Sequence, residues 1–418
     1  MNNLIQFLKD FYNNKGLLVF SSILIEKIIG LVNVIFVVRL ISESDYGLIT
    51  LIASLFGVFV TLNGFGAIQG LLRFGALEKE EKNKEKLANY ILKQGFKRHI
   101  FLIIAFVFVG LFYEFKYVNI WIVVAFFAIR MIGYYFYSFI LNYYRIQNQN
   151  NKFAKISIFI NCLGLLIAVG LTFGFGKYGY LLGLAITPWI SLFFYKKSLL
   201  KSTNFKLINN DKKEFWTYSI NSSVTYFFSE LLFMIDVFLI GFLLNESAIA
   251  NYKVAIILPM NLMFIPLIFM QTDYPKLVEQ SKNKSYLLFY IRNYYKIFIP
   301  LSLLILLVGF LIKDNVLALV FGEEYQQNGW IFFTILVAVT FNMCFRNLYG
   351  NMLSAVGLAN KNASVAIFSI ILMFVLGTFF IHFYGVIGAA LALSITFISM
   401  GFYSFLLFRN YLNQLPNV

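Results

Sequence analysis

Residues 16–40 read GLLVFSSILIEKIIGLVNVIFVVRL, an apolar stretch that carries two adjacent charges, Glu26 and Lys27, near its middle. A helix rises about 1.5 Å per residue, so this stretch is long enough to cross a hydrocarbon core of about 30 Å. A charge at the centre of a bilayer costs about 3 kcal/mol on insertion scales. The charged pair therefore predicts a membrane helix that faces protein or a water-filled cavity and not lipid.

The composition of the whole chain also indicates a membrane protein. Hydrophobic residues make up 60% of the 418 residues and charged residues 13%, whereas soluble domains carry about 25% charged residues. The mean hydropathy is +0.77. Two cysteines, both in apolar runs, and two histidines offer little for a disulfide framework or a metal site. We therefore predict an all-α integral membrane protein without catalytic residues, metal ion or bound cofactor.

The apolar runs predict twelve membrane-spanning helices. No stretch between them is long enough for a soluble domain, and no glycine-rich phosphate loop ending in Lys-Ser/Thr is present, which excludes an ATP-binding cassette in this chain. The longest predicted loops cover residues 73–98, 196–216 and 273–293. The predicted spans are residues 16–40, 47–72, 99–115, 118–142, 156–174, 178–195, 217–244, 254–272, 294–312, 328–349, 362–381 and 384–408.

The net charge of +15 follows the membrane topology and does not indicate nucleic-acid binding. With the N-terminus in the cytoplasm, 27 of the 34 Lys and Arg residues fall on cytoplasmic segments and 4 on outer loops. Cytoplasmic loops of membrane proteins carry this excess of basic residues. The bias predicts that both termini lie in the cytoplasm.

The two halves of the chain contain similar stretches. The end of the first span reads NVIFVVRLISESDYGLI and the end of the seventh reads DVFLIGFLLNESAIANYKVAI. YGYLLGLAIT near the sixth span likewise resembles YGVIGAALALSIT near the twelfth. The alternative is that apolar helices resemble one another by composition alone. Because the matches include turn residues, we predict a parallel repeat of two six-helix bundles, residues 1–199 and 200–418.

Charged residues recur at the predicted middle of other spans. Arg130 lies at the centre of the fourth span and Glu230 at the centre of the seventh, and Asp236 lies about 9 Å further outward. One interpretation is a polar cavity in which Lys27 and Arg130 bind an anionic ligand. The other is that these cations pair with Glu26 or Glu230 and only fix helix packing. Buried ion pairs stabilise proteins poorly, which favours the cavity.

Further basic residues lie near predicted span ends, where a long side chain reaches the membrane interface. Arg39 and Arg346 are two of them, and a ligand that carries phosphate could also meet them at the cavity mouth. We therefore include both with Lys27 and Arg130 as candidate substrate-binding residues.

Several stretches, in their order and spacing, resemble the multidrug/oligosaccharidyl-lipid/polysaccharide exporter superfamily, and within it the Wzx-type polysaccharide repeat-unit flippases. The similarity extends over nearly the whole chain. Its main stretches are RLISESDYGLITL (39–51), LNYYRIQNQNNKFAKISI (141–158), IDVFLIGFLLNESAIANYKVA (235–255), FGEEYQQNGWIFFTIL (321–336) and MLSAVGLANKNASVAI (352–367).

The resemblance implies a V-shaped pair of six-helix bundles around a central cavity in a bacterial cytoplasmic (inner) membrane. It implies a substrate, an oligosaccharide on undecaprenyl diphosphate, that is moved from the cytoplasmic to the outer face for O-antigen, capsule or other exopolysaccharide synthesis. It further implies membrane lipids, a polymerase and chain-length proteins as partners, and no nucleic acid. Cations replace the hydration of phosphates by charge-assisted hydrogen bonds.

The charges near the membrane midplane do not fit a purely cationic cavity, because the carboxylates there are at least as numerous as the cations. Glu26, Glu230 and Asp236 suit groups that exchange a proton or sodium ion, so we expect coupling to an ion gradient. Two other functions stay open. One is a cation-coupled drug antiporter of the same superfamily, and the other is a membrane polysaccharide polymerase, which the short outer loops disfavour. A flippase of the peptidoglycan precursor is less expected, because such flippases usually carry two helices more than the twelve predicted here.

Overall fold

A computed structural model describes residues 16–195 and 209–416 of the chain. Within these residues the chain forms α-helices joined by short turns and 3-10 helices, and none of them lies in a β-strand. The predicted all-helical fold class is confirmed. The long apolar runs explain it, because a backbone that crosses hydrocarbon must satisfy its own hydrogen bonds, and a helix does so within one segment.

Residues 16–195, the described part of the first half, contain six α-helices, which we number in chain order. A 3-10 helix, Phe112–Phe115, follows the fourth, and another, Thr187–Phe194, follows the sixth. The helices are α1 Gly16–Leu40, α2 Glu43–Thr61, α3 Asn63–Leu77, α4 Glu81–Leu111, α5 Ile120–Ile146 and α6 Asn150–Ile186.

Residues 209–416 contain seven more α-helices and one 3-10 helix, Glu323–Asn328. Its last helix is the longest, at 56 residues. The helices are α7 Asn209–Leu243, α8 Glu246–Leu262, α9 Phe264–Glu279, α10 Lys284–Phe321, α11 Gly329–Cys344, α12 Arg346–Ala355 and α13 Ala359–Gln414.

The described helices provide the predicted spans. Nine stretches of the described residues are long and apolar enough to cross a membrane. Two of the nine are interrupted by a glycine with non-helical backbone angles, Gly176 in α6 and Gly385 in α13, and each therefore supplies two spans. With α1, which lies outside the nine, the described part of the chain has twelve spans. The protein is a multi-pass membrane protein.

Two of the three long loops expected from the sequence are wrong. Helix α4 begins at Glu81 and α10 begins at Lys284, so most of residues 73–98 and 273–293 is helical. The third expected loop, 196–216, lies partly outside the described residues, and its last part opens α7. Charged residues such as Lys and Glu are good helix formers, so the charge that ends a membrane span does not end the helix.

The chain forms two compact units that divide inside α7, one ending at Glu230 and the other beginning at Leu231. The boundary predicted between residues 199 and 200 lies outside the described residues and stays a prediction. Each unit is described below by itself.

In the first unit, α5 is the central helix. It packs against α3, α4, α6 and the 3-10 helix Thr187–Phe194, while α1 packs against α6. Tyr135, Phe139 and Phe215 are fully buried in the hydrophobic core that these helices share. Phe215 comes from the first turns of α7, which therefore belongs to this core.

In the second unit, α13 and α11 form the most extensive contacts. Helix α11 also packs against α10 and α8, and α12 packs against α13 and α9. Fully buried aromatic rings fill the spaces between them, including Tyr294 and Phe298, whose stacked ring centroids lie 4.2 Å apart.

Candidate functional site

The first turns of α7 are held tightly against α3. Phe215, Ser219 and Ser223, spaced four residues apart on one face of α7, are almost wholly buried. Opposite them, α3 carries Gly66 and Gly70, and a β-carbon on either would overlap Ser219. Small residues allow two membrane helices to approach this closely. The face of α7 that carries Ser219 is therefore fixed against the first unit.

Two arginine–aromatic contacts add to this packing at the beginning of α7. The Arg98 guanidinium lies 3.6 Å from the centroid of the Trp216 ring, and that of Arg73 lies 4.4 Å from the centroid of the Tyr218 ring. The Trp216 indole Nε1 also donates to the hydroxyl of Tyr90 at 3.0 Å. Cation–π contacts of this kind contribute about 0.5–2 kcal/mol each.

The rotation that buries Ser219 exposes the polar side of α7. A cavity of about 760 Å³ runs along that side, within the size range of small-molecule sites. Most of the residues that line it are of uncharged polar types, and the two charged residues lie at one end. The lining residues described are Lys213, Glu214, Thr217, Tyr218, Asn221, Ser222, Thr225 and Tyr226.

Arg130 on α5 is surrounded by neutral groups. Its Nη1 donates to the Leu184 carbonyl, and its guanidinium lies 5.3 Å from the centroid of the Phe56 ring. Tyr134 and Tyr180 are near enough to interact with it electrostatically. Among the residues whose side chains the structure describes, Arg130 forms no ion pair. Its positive charge is therefore positioned by a carbonyl and by aromatic rings and not by a carboxylate.

Near Arg130, neutral hydrogen bonds join α1 to α6 and, separately, α5 to α6. Asn33 Nδ2 donates to the Tyr180 hydroxyl at 2.9 Å, and the hydroxyls of Tyr137 and Ser157 lie 3.1 Å apart. Asn161 Nδ2 donates to the Ser157 carbonyl at 2.9 Å. The Asn33 Oδ1 is buried and accepts no hydrogen bond from a described residue. Asn33 on α1 thus meets a polar group of α6.

The other predicted residues of the first unit are Lys27, Arg39, Glu26 and Glu230, and the described side chains among them differ in how exposed they are. Lys27 and Arg39 are exposed along α1, and the side chain of Glu26 lies outside what the structure describes. Glu230 is half-buried, with its carboxylate facing Gly57 on α2. Lys27, Arg39 and Glu230 are therefore each at least partly accessible.

Of the predicted residues whose side chains the structure describes, Asp236 alone is wholly buried, at 0% exposure. The Tyr252 hydroxyl donates to its Oδ2 at 2.7 Å, and the backbone N–H of Val237 donates to its Oδ1 at 2.8 Å. Lys253 interacts electrostatically with the carboxylate. Asp236 is thus a hydrogen-bonded acidic group inside the second unit and does not face an open cavity of that unit.

Arg346, at the beginning of α12, is half-buried in the second unit, and its guanidinium is hydrogen-bonded. Its Nη1 donates to Asn362 Oδ1 at 2.7 Å and to the Ser404 hydroxyl at 3.2 Å. Asn362 Nδ2 in turn donates to the Gly350 carbonyl at 2.8 Å and to the Ser354 hydroxyl at 2.8 Å. Through Arg346 and Asn362, this network joins α12 to both parts of α13.

The sequence did not single out the partners of these residues. Tyr180, Tyr252, Asn362 and the Leu184 carbonyl were not predicted, because the chain has 26 tyrosines and polar residues in many spans. The second tyrosine of YGYLLGLAIT was the available signal for Tyr180, since a phenol in a membrane span needs a hydrogen-bond partner.

Residues 14–281 match the family described as "Polysaccharide biosynthesis protein". The chain belongs to this family. The matched region holds α1–α9, and therefore Arg130, the polar side of α7 and Asp236. A comparison with curated proteins finds no significant match.

Solved structures of transporters share the fold. The chain superimposes on the lipid II flippase MurJ in its inward closed conformation with a TM-score of 0.74 and 14% identity, covering 93% of this chain and 87% of that one. It superimposes on an inward-facing MATE-family multidrug resistance transporter of the MOP superfamily with a TM-score of 0.71 and 18% identity, covering 93% of this chain and 95% of that one. For a Vibrio cholerae MATE transporter the TM-score is 0.66 and the identity 14%, with 99% of this chain and 98% of that one covered. These identities establish the exporter fold and nothing finer.

Proposed function

We propose that this protein is a flippase that moves undecaprenyl-diphosphate-linked oligosaccharide repeat units from the cytoplasmic to the outer face of the cytoplasmic (inner) membrane. The observation that carries the proposal is the membership of residues 14–281 in a polysaccharide biosynthesis family, in a chain with the exporter fold. A family of polysaccharide synthesis with a transporter fold needs a substrate of that pathway that has to cross the membrane.

The described residues suit such a substrate. A diphosphate and a glycan do not cross hydrocarbon unaided, because each polar group would lose its hydrogen bonds to water. Arg130 supplies a positive charge inside a membrane span, held by neutral partners, so its charge is not cancelled by a described carboxylate. We propose that Arg130 binds the diphosphate, with Lys27 as a second cation on the exposed side of α1. Arg39 is a further candidate at the end of that helix.

The exchange of sides would follow alternating access, in which one bundle rocks against the other around the bound substrate. We propose that a carboxylate couples this cycle to a proton or sodium gradient. Asp236 is the strongest candidate, because it is buried yet accepts hydrogen bonds that hold it in place. Glu230 and Glu26 are the alternatives. Asp236→Asn should make transport insensitive to the ion gradient, and an unchanged gradient dependence would assign coupling elsewhere.

The flippase proposal is tested in inverted membrane vesicles by measuring how much undecaprenyl-diphosphate-linked oligosaccharide becomes protected inside. The intact protein should translocate it, and Arg130→Ala should lower the rate at least tenfold at equal membrane abundance. Arg130→Lys keeps the charge and should retain part of the rate. Arg145→Ala is the matched control, because Arg145 lies on the same helix at its end, over the Phe153 ring.

Other outcomes of this experiment identify other functions. The fold is shared with a lipid II flippase and with MATE transporters, so lipid II and a cationic dye are included as substrates. Movement of lipid II alone would indicate a peptidoglycan-precursor flippase. Export of the dye without movement of any lipid-linked glycan would indicate a drug antiporter. Chain elongation of the glycan by the purified protein would indicate a polymerase.

A further inference from the structure

The exposed side of α7 is a polar surface inside a membrane-spanning helix. Thr217, Asn221 and Thr225 follow one another at four-residue spacing and are all exposed, and Tyr226 beside them is 57% exposed. The stretch Lys212–Leu243 is apolar enough overall to cross a membrane. A row of exposed polar side chains in such a helix does not suit contact with lipid.

Several of these side chains have unused hydrogen-bonding capacity. Within the described part of the chain, Thr217, Asn221, Ser222 and Tyr226 form no side-chain hydrogen bond. An amide or hydroxyl left without a hydrogen-bond partner in an apolar environment is costly, because it has lost its hydrogen bonds to water. Water or a polar ligand must therefore occupy the cavity along this side of α7.

The chemistry of the surface favours a neutral, polyhydroxylated ligand. Hydroxyl and amide groups both donate and accept hydrogen bonds, as sugar hydroxyls do. From Thr217 to Ser229 the helix carries no charged residue, and Lys213 and Glu214 lie at one end of the cavity. A diphosphate, in contrast, is bound best by charge-assisted hydrogen bonds from Arg or Lys. The Tyr226 ring adds a flat apolar face, against which the C–H face of a pyranose can stack.

The packing of α7 makes this surface a fixed one. The opposite side of the helix is held by the contact of Ser219 with Gly66 and Gly70, and by Trp216 under Arg98. A rotation of α7 that turned Asn221 away from the cavity would drive Phe215 out of the core. Binding groups on a rigid helix are positioned without an ordering cost at the moment of binding.

We propose that the α7 surface formed by Thr217, Asn221, Ser222, Thr225 and Tyr226 binds the sugar residues of the lipid-linked substrate and selects glycosylated over bare undecaprenyl diphosphate. This proposal rests on the proposed flippase function and assigns the glycan to a place distinct from Arg130.

The test measures binding to the complete protein in lipid nanodiscs with two probes. One is undecaprenyl diphosphate, and the other is undecaprenyl diphosphate that carries a synthetic trisaccharide of neutral hexoses. The intact protein should bind the glycosylated lipid at least tenfold more tightly. The variant Asn221→Ala/Tyr226→Ala should bind both lipids with the affinity that the intact protein has for the bare one. Tyr226→Phe keeps the ring and should keep most of the preference.

Tyr384→Ala is the matched control, because Tyr384 on α13 has the same 57% exposure as Tyr226. It should not change the preference. Since Asn221 and Tyr226 are exposed, their replacement leaves the buried side of α7 intact, and elution on gel filtration verifies folding. If Asn221→Ala/Tyr226→Ala keeps the tenfold preference, or the intact protein has none, the inference is overturned while the flippase proposal stands. If the intact protein binds neither lipid, the proposed function fails and the inference with it.

Discussion

Gly176 and Gly385 lie 209 positions apart and have nearly the same backbone conformation, φ 55° and ψ −136° against φ 60° and ψ −137°. Each divides one long helix into two membrane spans. Asn148 and Gly357, also 209 positions apart, both have positive φ, at 58° and 84°. The same turns therefore recur at the same separation in both halves of the chain, which supports an internal repeat more strongly than apolar similarity does.

This conformation requires glycine, because a β-carbon at such φ and ψ values clashes with the backbone. We expect Gly176→Ala and Gly385→Ala each to destabilise the protein by about 1–3 kcal/mol, the usual cost of a residue held in a sparsely populated region. Apart from the local backbone, no described atom lies within 4 Å of the place a β-carbon would take at either position, so the cost comes from the local backbone and not from packing against another helix.

The measurement is the temperature at which half of the detergent-solubilised protein is lost from gel filtration. The control is Gly170→Ala, which also has open space around its β-carbon but lies in helical backbone. Gly170→Ala should leave the midpoint unchanged or raise it, since alanine is the better helix former. Equal midpoints for Gly170→Ala and Gly176→Ala would contradict the backbone explanation.

A second prediction concerns Ser219, which is fully buried between α7 and α3 with a hydroxyl that finds no described partner. Ser219→Ala removes an unsatisfied polar group and should be neutral or stabilising, by about 1 kcal/mol. Ser219→Leu should destabilise by about 1–3 kcal/mol, because Gly66 and Gly70 leave no room for a larger side chain.

The two Ser219 variants are compared by thermal midpoint in the same detergent. Asn221→Leu, a variant of similar size on the exposed side of the same helix, shows how much a leucine costs without the close contact. A loss of stability in Ser219→Ala as large as that in Ser219→Leu would indicate that the hydroxyl has a partner of importance.

The third prediction separates the two roles open to Arg346. Its guanidinium is hydrogen-bonded to Asn362 and Ser404, so Arg346→Ala should destabilise the second unit by about 1–3 kcal/mol. Asn362→Ala should have a similar effect, because Asn362 also binds the Gly350 carbonyl. The measurement is the thermal midpoint, together with translocation per folded molecule. Transport lost in Arg346→Ala at an unchanged midpoint would instead make Arg346 a substrate-binding residue.

The fourth prediction tests the membrane topology that the basic residues indicate. In a background where Cys162 and Cys344 are replaced by serine, single cysteines are placed at Lys82, in the first turn of α4, and at Val118, between the 3-10 helix and α5. Both positions are exposed, Val118 at 80%.

A membrane-impermeant maleimide added to intact cells should label Val118→Cys and not Lys82→Cys. In inverted vesicles the order should reverse, which serves as the internal control for reactivity. Labelling of Lys82→Cys in intact cells would place the N-terminus outside and would refute the assignment of the basic segments to the cytoplasm.

The sequence by itself determined the fold class and the number of spans. Long apolar segments alternate with charged segments along the chain, and this pattern does not depend on how the helices pack. It also pointed to Arg130 and Asp236 as candidate functional residues, since a charge in an apolar run is costly wherever it lies. The loops predicted from the sequence were too long, because hydropathy indicates where a span leaves the membrane and not where its helix ends.

Only the tertiary structure decided what each charged residue contacts. Arg130 meets a carbonyl and aromatic rings, and Arg346 meets Asn362, partners that lie 54 and 16 positions away and that no spacing rule connects. The backbone conformation also decided which residues of the two halves correspond. The sequence aligns Tyr178-Gly179 with Tyr384-Gly385, whereas the φ and ψ values pair Gly176 with Gly385. The rotation of α7 was decided in the same way. Its serines and threonines look alike in sequence, and the close fit of Ser219 against Gly66 and Gly70 determines which of them face the cavity.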